Sequence, residues 1–152
     1  MLQAWRIVKA KHASIAFSGE GAAKAGGRWN SKGTRVIYCS ATKSLAALET
    51  LVHINPPVPF KYLVFRIKFD ARLVEHPPIR MLPEDWQAEP PPPSTKEIGD
   101  NWCRKSRSAV LAVPSVIVPD ELNYLLNPVH PHFKKISIGK PERFAFDPRL
   151  LQ

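Results

Sequence analysis

Prolines set the firmest limit on what this chain can fold into. There are sixteen, and seven fall between His76 and Ser94, four of them in the unbroken run Pro90 to Pro93. A proline has no N–H to donate and a fixed φ, so this stretch is excluded from regular helix and from the centre of a sheet. A long stiff loop over about residues 76–94 is predicted, with Trp86 as the side chain able to pin it to a core. Patterned segments lie on both sides, so the loop is an excursion within one domain spanning residues 1–152 rather than a boundary between two. The competing use of the run is as a PxxP ligand for a partner domain. At 152 residues and 44% hydrophobic, the chain can build one real core.

Around that loop, short strands and short helices are expected. AWRIV (4–8) reads as an opening strand, and 19–27 as a glycine- and alanine-rich loop. NSKGT (30–34) is a turn in which Gly33 is free to take positive φ, which makes 27–29 and 35–40 the arms of a hairpin. The clearest helix is TKSLAALETLVHI, with Thr42 as N-cap and Leu45, Leu48, Leu51 and Val52 as its apolar stripe. Glu49 falls at the edge of that stripe, an unusual place for an acid.

KYLVFRIKF alternates as a half-buried strand does, with Leu63, Phe65, Ile67 and Phe69 on one face and Tyr62, Val64, Arg66 and Lys68 on the other. Ser94 and Glu97 have capping-box spacing for a helix through Trp102 towards Arg107. AVLAVPSVIVP predicts a strand interrupted at Pro114, hence an edge, bulge or bend. DELNYLLNP reads as a short helix closed by Pro128, and KKISI and RFAF as final strands.

Lysine and arginine total 22 against 13 acids, a net charge of +9 that points to anionic partners: nucleic acid, a phosphorylated small molecule or an acidic protein. Seven of the basic residues lie within positions 1–35 against Glu20 alone, so +6 of the +9 is concentrated there. A solvated basic edge accounts for scattered lysines equally well. Cys39 and Cys103 form no CxxC pair and are too few for a disulfide framework, so both are expected as reduced thiols in a cytoplasmic protein. Arg6, Lys9 and Lys11 interrupt the place where a secretion signal needs an apolar run, and no stretch approaches the ~20 apolar residues of a membrane span.

Four residues stand out as candidates for chemistry. Arg28 follows two glycines that let a ligand or another backbone come close. Its plain alternative is a surface salt bridge. Glu49 has a structural alternative as partner of Arg28, Tyr38 or His53. Tyr38 also fits as a packed strand aromatic. Ser115 fits as a bend residue, and without a G-x-S-x-G elbow a nucleophilic role has no support. His130 and His132 flank Pro131 with no cysteine or carboxylate nearby, so no metal site is expected. GEGAAKAGG lacks the strand–loop–helix setting of a phosphate-binding fingerprint, and the aromatics follow no RNA-recognition order.

Taken together, GGRWNSKGTRVIYCS, SLAALETLVH, VLAVPSVIVPDELNYLLNP and HPHF resemble the RES-domain family, toxins of bacterial RES–Xre toxin–antitoxin modules. The resemblance implies a compact single α+β domain similar to ADP-ribosyltransferases, with split β-sheets around an NAD-binding cleft and short helices. It places Arg28, Glu49 and Ser115 as the family's arginine, glutamate and serine, and Tyr38 and Asn127 as further cleft residues. The implied activity is depletion of cellular NAD+ by cleavage of the nicotinamide–ribose bond, without a metal. Arg28 would grip the pyrophosphate or adjacent ribose, Glu49 would stabilise the sugar cation, Tyr38 would stack on nicotinamide, and Ser115 would bind the ligand or orient Glu49. Water, phosphate or a protein side chain remain open as acceptors, giving a glycohydrolase, a phosphorylase or a mono-ADP-ribosyltransferase. The implied partner is an Xre-type helix-turn-helix antitoxin covering the cleft, with DNA reached only through it and no membrane. Two rival classes are a basic RNA-cleaving toxin using His53 or His130, and a non-catalytic module docking an acidic protein.

Overall fold

Strand β1 (Leu2–Lys9) and strand β3 (Tyr62–Phe69) pair antiparallel along their whole length, from Leu2 opposite Phe69 to Lys9 opposite Tyr62. A computed structural model describes residues 1–54, 61–77 and 79–151; Pro78 of the proline-rich stretch lies outside the described residues. The remaining strands are β2 (Ile37–Ser40), β4 (Val74–Glu75), β5 (Val110–Pro114), β6 (Leu122–Leu126), β7 (Ser137–Ile138) and β8 (Glu142–Phe144). They form one sheet in the order β4-β5-β6-β2-β1-β3-β7, with β8 also on β3, antiparallel throughout except for the β4–β5 pair.

The middle of this sheet is nearly open. β1 and β2 share one register pair, Trp5 opposite Ser40, whereas β2 pairs with β6 over four residues and β5 with β6 over five. The two half-sheets therefore meet at a pinch and part beyond it. The expected split into separate sheets is corrected to one sheet pinched at this point.

Among the described residues three α-helices complete the fold: α1 (Glu20–Ala25), α2 (Lys43–Leu51) and α3 (Pro93–Arg104). α2 sets Ala46 into a cluster with Ile7, Tyr62, Val64 and Phe146 on the β1–β3 half. α3 buries Trp102 against Trp29, Val36, Leu111, Val113 and Leu125 on the other half. A third cluster, built from Ala4, Ile37, Ile67, Phe69, Val110, Tyr124 and Leu126, spans both halves.

Several local expectations are corrected by this packing. The segment DELNYLLNP is strand β6 and not a helix: Tyr124 and Leu126 enter one cluster while Leu125 enters another. A strand buried on both faces loses its period-2 signature and reads as a continuous apolar run. The same double burial brings Tyr62 and Val64 of β3 inside, although alternation placed them outside. The 19–27 loop contains helix α1, whose alanines are bracketed by Gly19 at φ 77° and Gly26 at φ 72°. Both are backbone conformations that start and stop a helix at little cost for glycine alone.

The 27–40 hairpin does not form; one isolated bridge, Gly27 with Asn30, stands in its place, and β2 pairs with β6 and β1. Gly33 does take positive φ, at 97°. Thr42 caps α2 through its hydroxyl, which accepts from the Leu45 N–H at 3.0 Å, but Leu48 and Val52 are exposed instead of lying on a buried stripe. α3 starts one residue before Ser94, with Pro93 in its first turn, and ends at Arg104. The Ser94 hydroxyl donates to Asp85 rather than closing a capping box.

Candidate functional site

Helical periodicity brings Glu49 to the sheet. It lies three residues after buried Ala46 and four after buried Leu45, so it projects from the packed edge of α2 towards the β5–β6 connection. There its Oε1 accepts two hydrogen bonds, from Ser115 Oγ at 2.7 Å and from Asn123 Nδ2 at 2.8 Å. Each donor is itself fixed. Asn123 Oδ1 accepts from Ser40 Oγ at 2.7 Å, and Ser115 Oγ accepts the Ile117 and Val118 N–H groups at 3.1 Å each.

Pro114 explains why Ser115 is free for this task. It ends β5, after which the Ser115 N–H turns to the Glu121 carbonyl at 2.9 Å and closes the loop to β6. Ser115 is 0% exposed and stands behind Glu49, away from the cavity surface. Of the two roles expected for it, the hydroxyl takes that of orienting Glu49 here. Oε2 of Glu49 has no hydrogen-bond partner among the described residues, and Glu49 lines the cavity.

Arg28 is mounted by a different set of contacts. Thr95 Oγ1 donates to its carbonyl at 2.6 Å, Lys96 Nζ donates to the Gly27 carbonyl at 2.7 Å, and the Ser31 N–H donates to Asp100 Oδ1 at 2.9 Å. α3 can come this close because Gly99 faces the Trp29 carbonyl; a Cβ there would lie 1.7 Å from that oxygen. The Tyr38 hydroxyl completes the mount, donating to Asn30 Oδ1 at 2.6 Å and accepting the Trp29 N–H at 3.1 Å. Burial pushes this phenol above its ordinary range, so it stays neutral and able to donate. Tyr38 also lines the cavity.

The Arg28 guanidinium itself turns to the proline-rich stretch. Its Nη1 donates to the Trp86 and Ala88 carbonyls at 3.0 and 2.7 Å, and its Nη2 pairs with Glu89 Oε2 at 2.8 Å. Trp86 also packs beside the Trp102 cluster, so it does pin the loop.

A third charged group was not predicted. Arg6 lies in the gap where β1 and β2 part, with Nε donating to the Ala16 carbonyl and Nη1 to the Tyr38 carbonyl, both at 2.8 Å. It has no carboxylate partner among the described residues, and burial lowers its pKa. A half-buried cation without a carboxylate partner among the described residues, set in the wall of a cavity, is suited to binding an anion. The visible signal was one arginine inside the apolar strand AWRIV.

Arg6, Arg28, Tyr38, Glu49 and Asn123 all line one cavity of about 980 Å³, at the upper end of the range for cofactor-sized ligands. Asn127 does not join them. It is fully buried; its Oδ1 accepts the Val129 N–H at 3.1 Å, and it lies on the far end of β6 from Asn123. Asn123 is the strand's polar contribution to the cleft, missed because a helix was expected there. His53 lines the cavity, whereas His130 caps a turn, bonding Ser106 and His132. Cys39 also reaches the wall, but burial pushes its thiol up to about 12, leaving it protonated and unreactive at neutral pH. Among the described residues no group of three or more His, Cys, Asp or Glu is placed to hold a metal ion, and no helix is long and apolar enough to cross a membrane.

The RES domain family model matches residues 3–147. Toxin Res of Yersinia enterocolitica is 40% identical over 148 residues, covering 96% of this chain and 97% of that protein. The Prs ADP-ribosylating toxin of a Sphingobium species is 36% identical over 154 residues, covering 97% and 96%. A chain from the crystal structure of the M. tuberculosis MbcT–MbcA toxin–antitoxin complex has the same fold, with a TM-score of 0.72 at 16% identity over 99% of this chain and 86% of that one. The chain belongs to the RES-domain family.

Proposed function

We propose that this protein is the toxin of a toxin–antitoxin module and acts on NAD+ by breaking the bond between nicotinamide and ribose, in a cleft of ADP-ribosyltransferase type. The observation that carries this is Glu49, with one carboxylate oxygen held by buried Ser115 and half-buried Asn123 and the other open to a cavity that two arginines also line.

The chemistry suits that arrangement. As the C1′–N bond breaks, its electron pair passes to the nicotinamide nitrogen, which leaves neutral, and positive charge builds on the ribose C1′ and ring oxygen. A carboxylate already oriented by fixed hydrogen bonds stabilises that charge without reorganising. Arg6 and Arg28 offer the pyrophosphate two guanidinium groups from opposite sides of the pinch. Tyr38, its hydroxyl committed to Asn30, leaves its ring for stacking on a flat heterocycle.

Water as acceptor makes the enzyme a glycohydrolase and phosphate makes it a phosphorylase. Transfer to a protein is the second outcome, favoured by the relative that bears the name Prs ADP-ribosylating toxin. The partner in this scheme is an Xre-type helix-turn-helix antitoxin covering the cleft in the cytoplasm, its acidic groups meeting the +9 toxin, with DNA contacted only by the antitoxin.

The test is nicotinamide release from NAD+ by purified wild type and Glu49→Gln, with and without phosphate, alongside NAD and RNA levels in induced cells. Wild type should release nicotinamide and deplete NAD while RNA stays intact. Equal release by both proteins, or RNA loss with NAD unchanged, would sink the assignment.

A further inference from the structure

We propose that the proline-rich strap carries its own anion, Glu89, and that this carboxylate competes with ligand phosphates for Arg28, admitting to the arginine only ligands that bring an oxyanion. The inference deepens the assignment of the cleft to a dinucleotide and rests on it.

The contacts divide into two kinds. Arg28 Nη1 holds the strap through the neutral backbone carbonyls of Trp86 and Ala88. Its Nη2 holds a side-chain carboxylate, the one contact a phosphate oxygen can replace atom for atom. The two sides of the ion pair differ in burial: the Arg28 side chain is 14% exposed and that of Glu89 is 75% exposed. Glu89 can therefore swing into water at little cost, whereas Arg28 stays in place.

The strap does not depend on Glu89 to stay closed. Trp86 packs beside the Trp102 cluster, Asp85 accepts from Ser94 Oγ at 2.5 Å, and Pro92 is buried at the start of α3. Glu89 and Pro91 line the same cavity as Glu49, so the displaced contact opens towards the ligand and not towards the outside of the fold. A ligand without phosphate has nothing to set against the resident carboxylate. A dianionic one replaces a single exposed charge with a stronger, bidentate-capable partner.

Calorimetric binding of inorganic pyrophosphate to wild type, Glu89→Gln, Arg28→Ala and the double variant tests this. Glu89→Gln should bind pyrophosphate about two- to fivefold more tightly, the factor expected for releasing an exposed ion pair, and the gain should vanish when Arg28 is absent. Equal or weaker binding by Glu89→Gln, a gain that persists without Arg28, or no measurable binding by any of the four proteins each overturns the proposal. The nicotinamide-release assay on the same samples separates the two questions: tighter pyrophosphate binding with no nicotinamide release leaves the Glu89 contact standing and removes the NAD+ assignment.

Discussion

Glu49 is held by neutral donors, buried Ser115 of the β5–β6 loop and Asn123 of an inner strand, whereas Arg28 is held by carbonyls and an exposed carboxylate of a surface strap. The first set includes no competing charge and holds the carboxylate in a single orientation. The second includes an anion of the protein's own, which a ligand can replace. One end of the cleft is pre-organised for a charge that forms during reaction; the other is arranged for exchange with a charge that arrives with the ligand.

That contrast can be broken experimentally, and the largest effect belongs to the rigid end. Glu49→Gln keeps the shape and removes the charge, and is expected to slow nicotinamide release by about 10²–10³-fold, the usual loss when a transition-state electrostatic contact is removed. A melting temperature close to wild type alongside that loss would show that the charge, and not the fold, is responsible.

Gly99→Ala strikes the mount of the other end. With a Cβ at 1.7 Å from the Trp29 carbonyl, α3 must move off the Arg28 loop, for an expected cost of about 3 kcal/mol in chemical denaturation. An unchanged midpoint would mean that the loop does not depend on α3.

Ser115→Ala and Asn123→Ala each remove one donor to Glu49 and leave another group unpaired, which should cost about 1–3 kcal/mol of stability apiece. Both should lower kcat more than they raise KM, since neither donor is proposed to grip the ligand. A pure KM effect would contradict the positioning role of Ser115.

The effect that is smallest at neutral pH is confined to alkaline conditions. The Cys39 thiol is raised by burial from 9.0 to about 12, so the folded state holds its proton more tightly than the unfolded one. Its contribution to stability is complete below about pH 9 and is lost as pH rises towards 12. Cys39→Ser should flatten the fall of unfolding free energy across that window; an identical slope would show that the thiol is not protected.

Much of the outline is legible in the order of residues. β1, β3, β5 and α2 follow from local patterns, because each carries a hydrophobic period or a cap strong enough to survive its tertiary setting. Glu49 and Arg28 stand out because an acid on a buried helix edge and an arginine after paired glycines are locally odd. Elements covered on both faces are misread, β6 most plainly, since Tyr124, Leu125 and Leu126 are all buried and erase the alternation. That error hides Asn123, whose amide reaches Glu49 from the strand.

What the sequence by itself settles here is therefore some of the parts: the strands and the helix with a strong local pattern, where proline forbids either, and which charged side chains sit in improbable company. Their assembly is a long-range matter. The single β1–β2 register pair opens the gap that Arg6 fills, the β5–β6 loop delivers Ser115 to a helix 66 positions earlier, and the strap delivers Glu89 to Arg28 across 61. Such meetings depend on how half-sheets and helices bury their apolar faces against one another, and no local window of sequence records that.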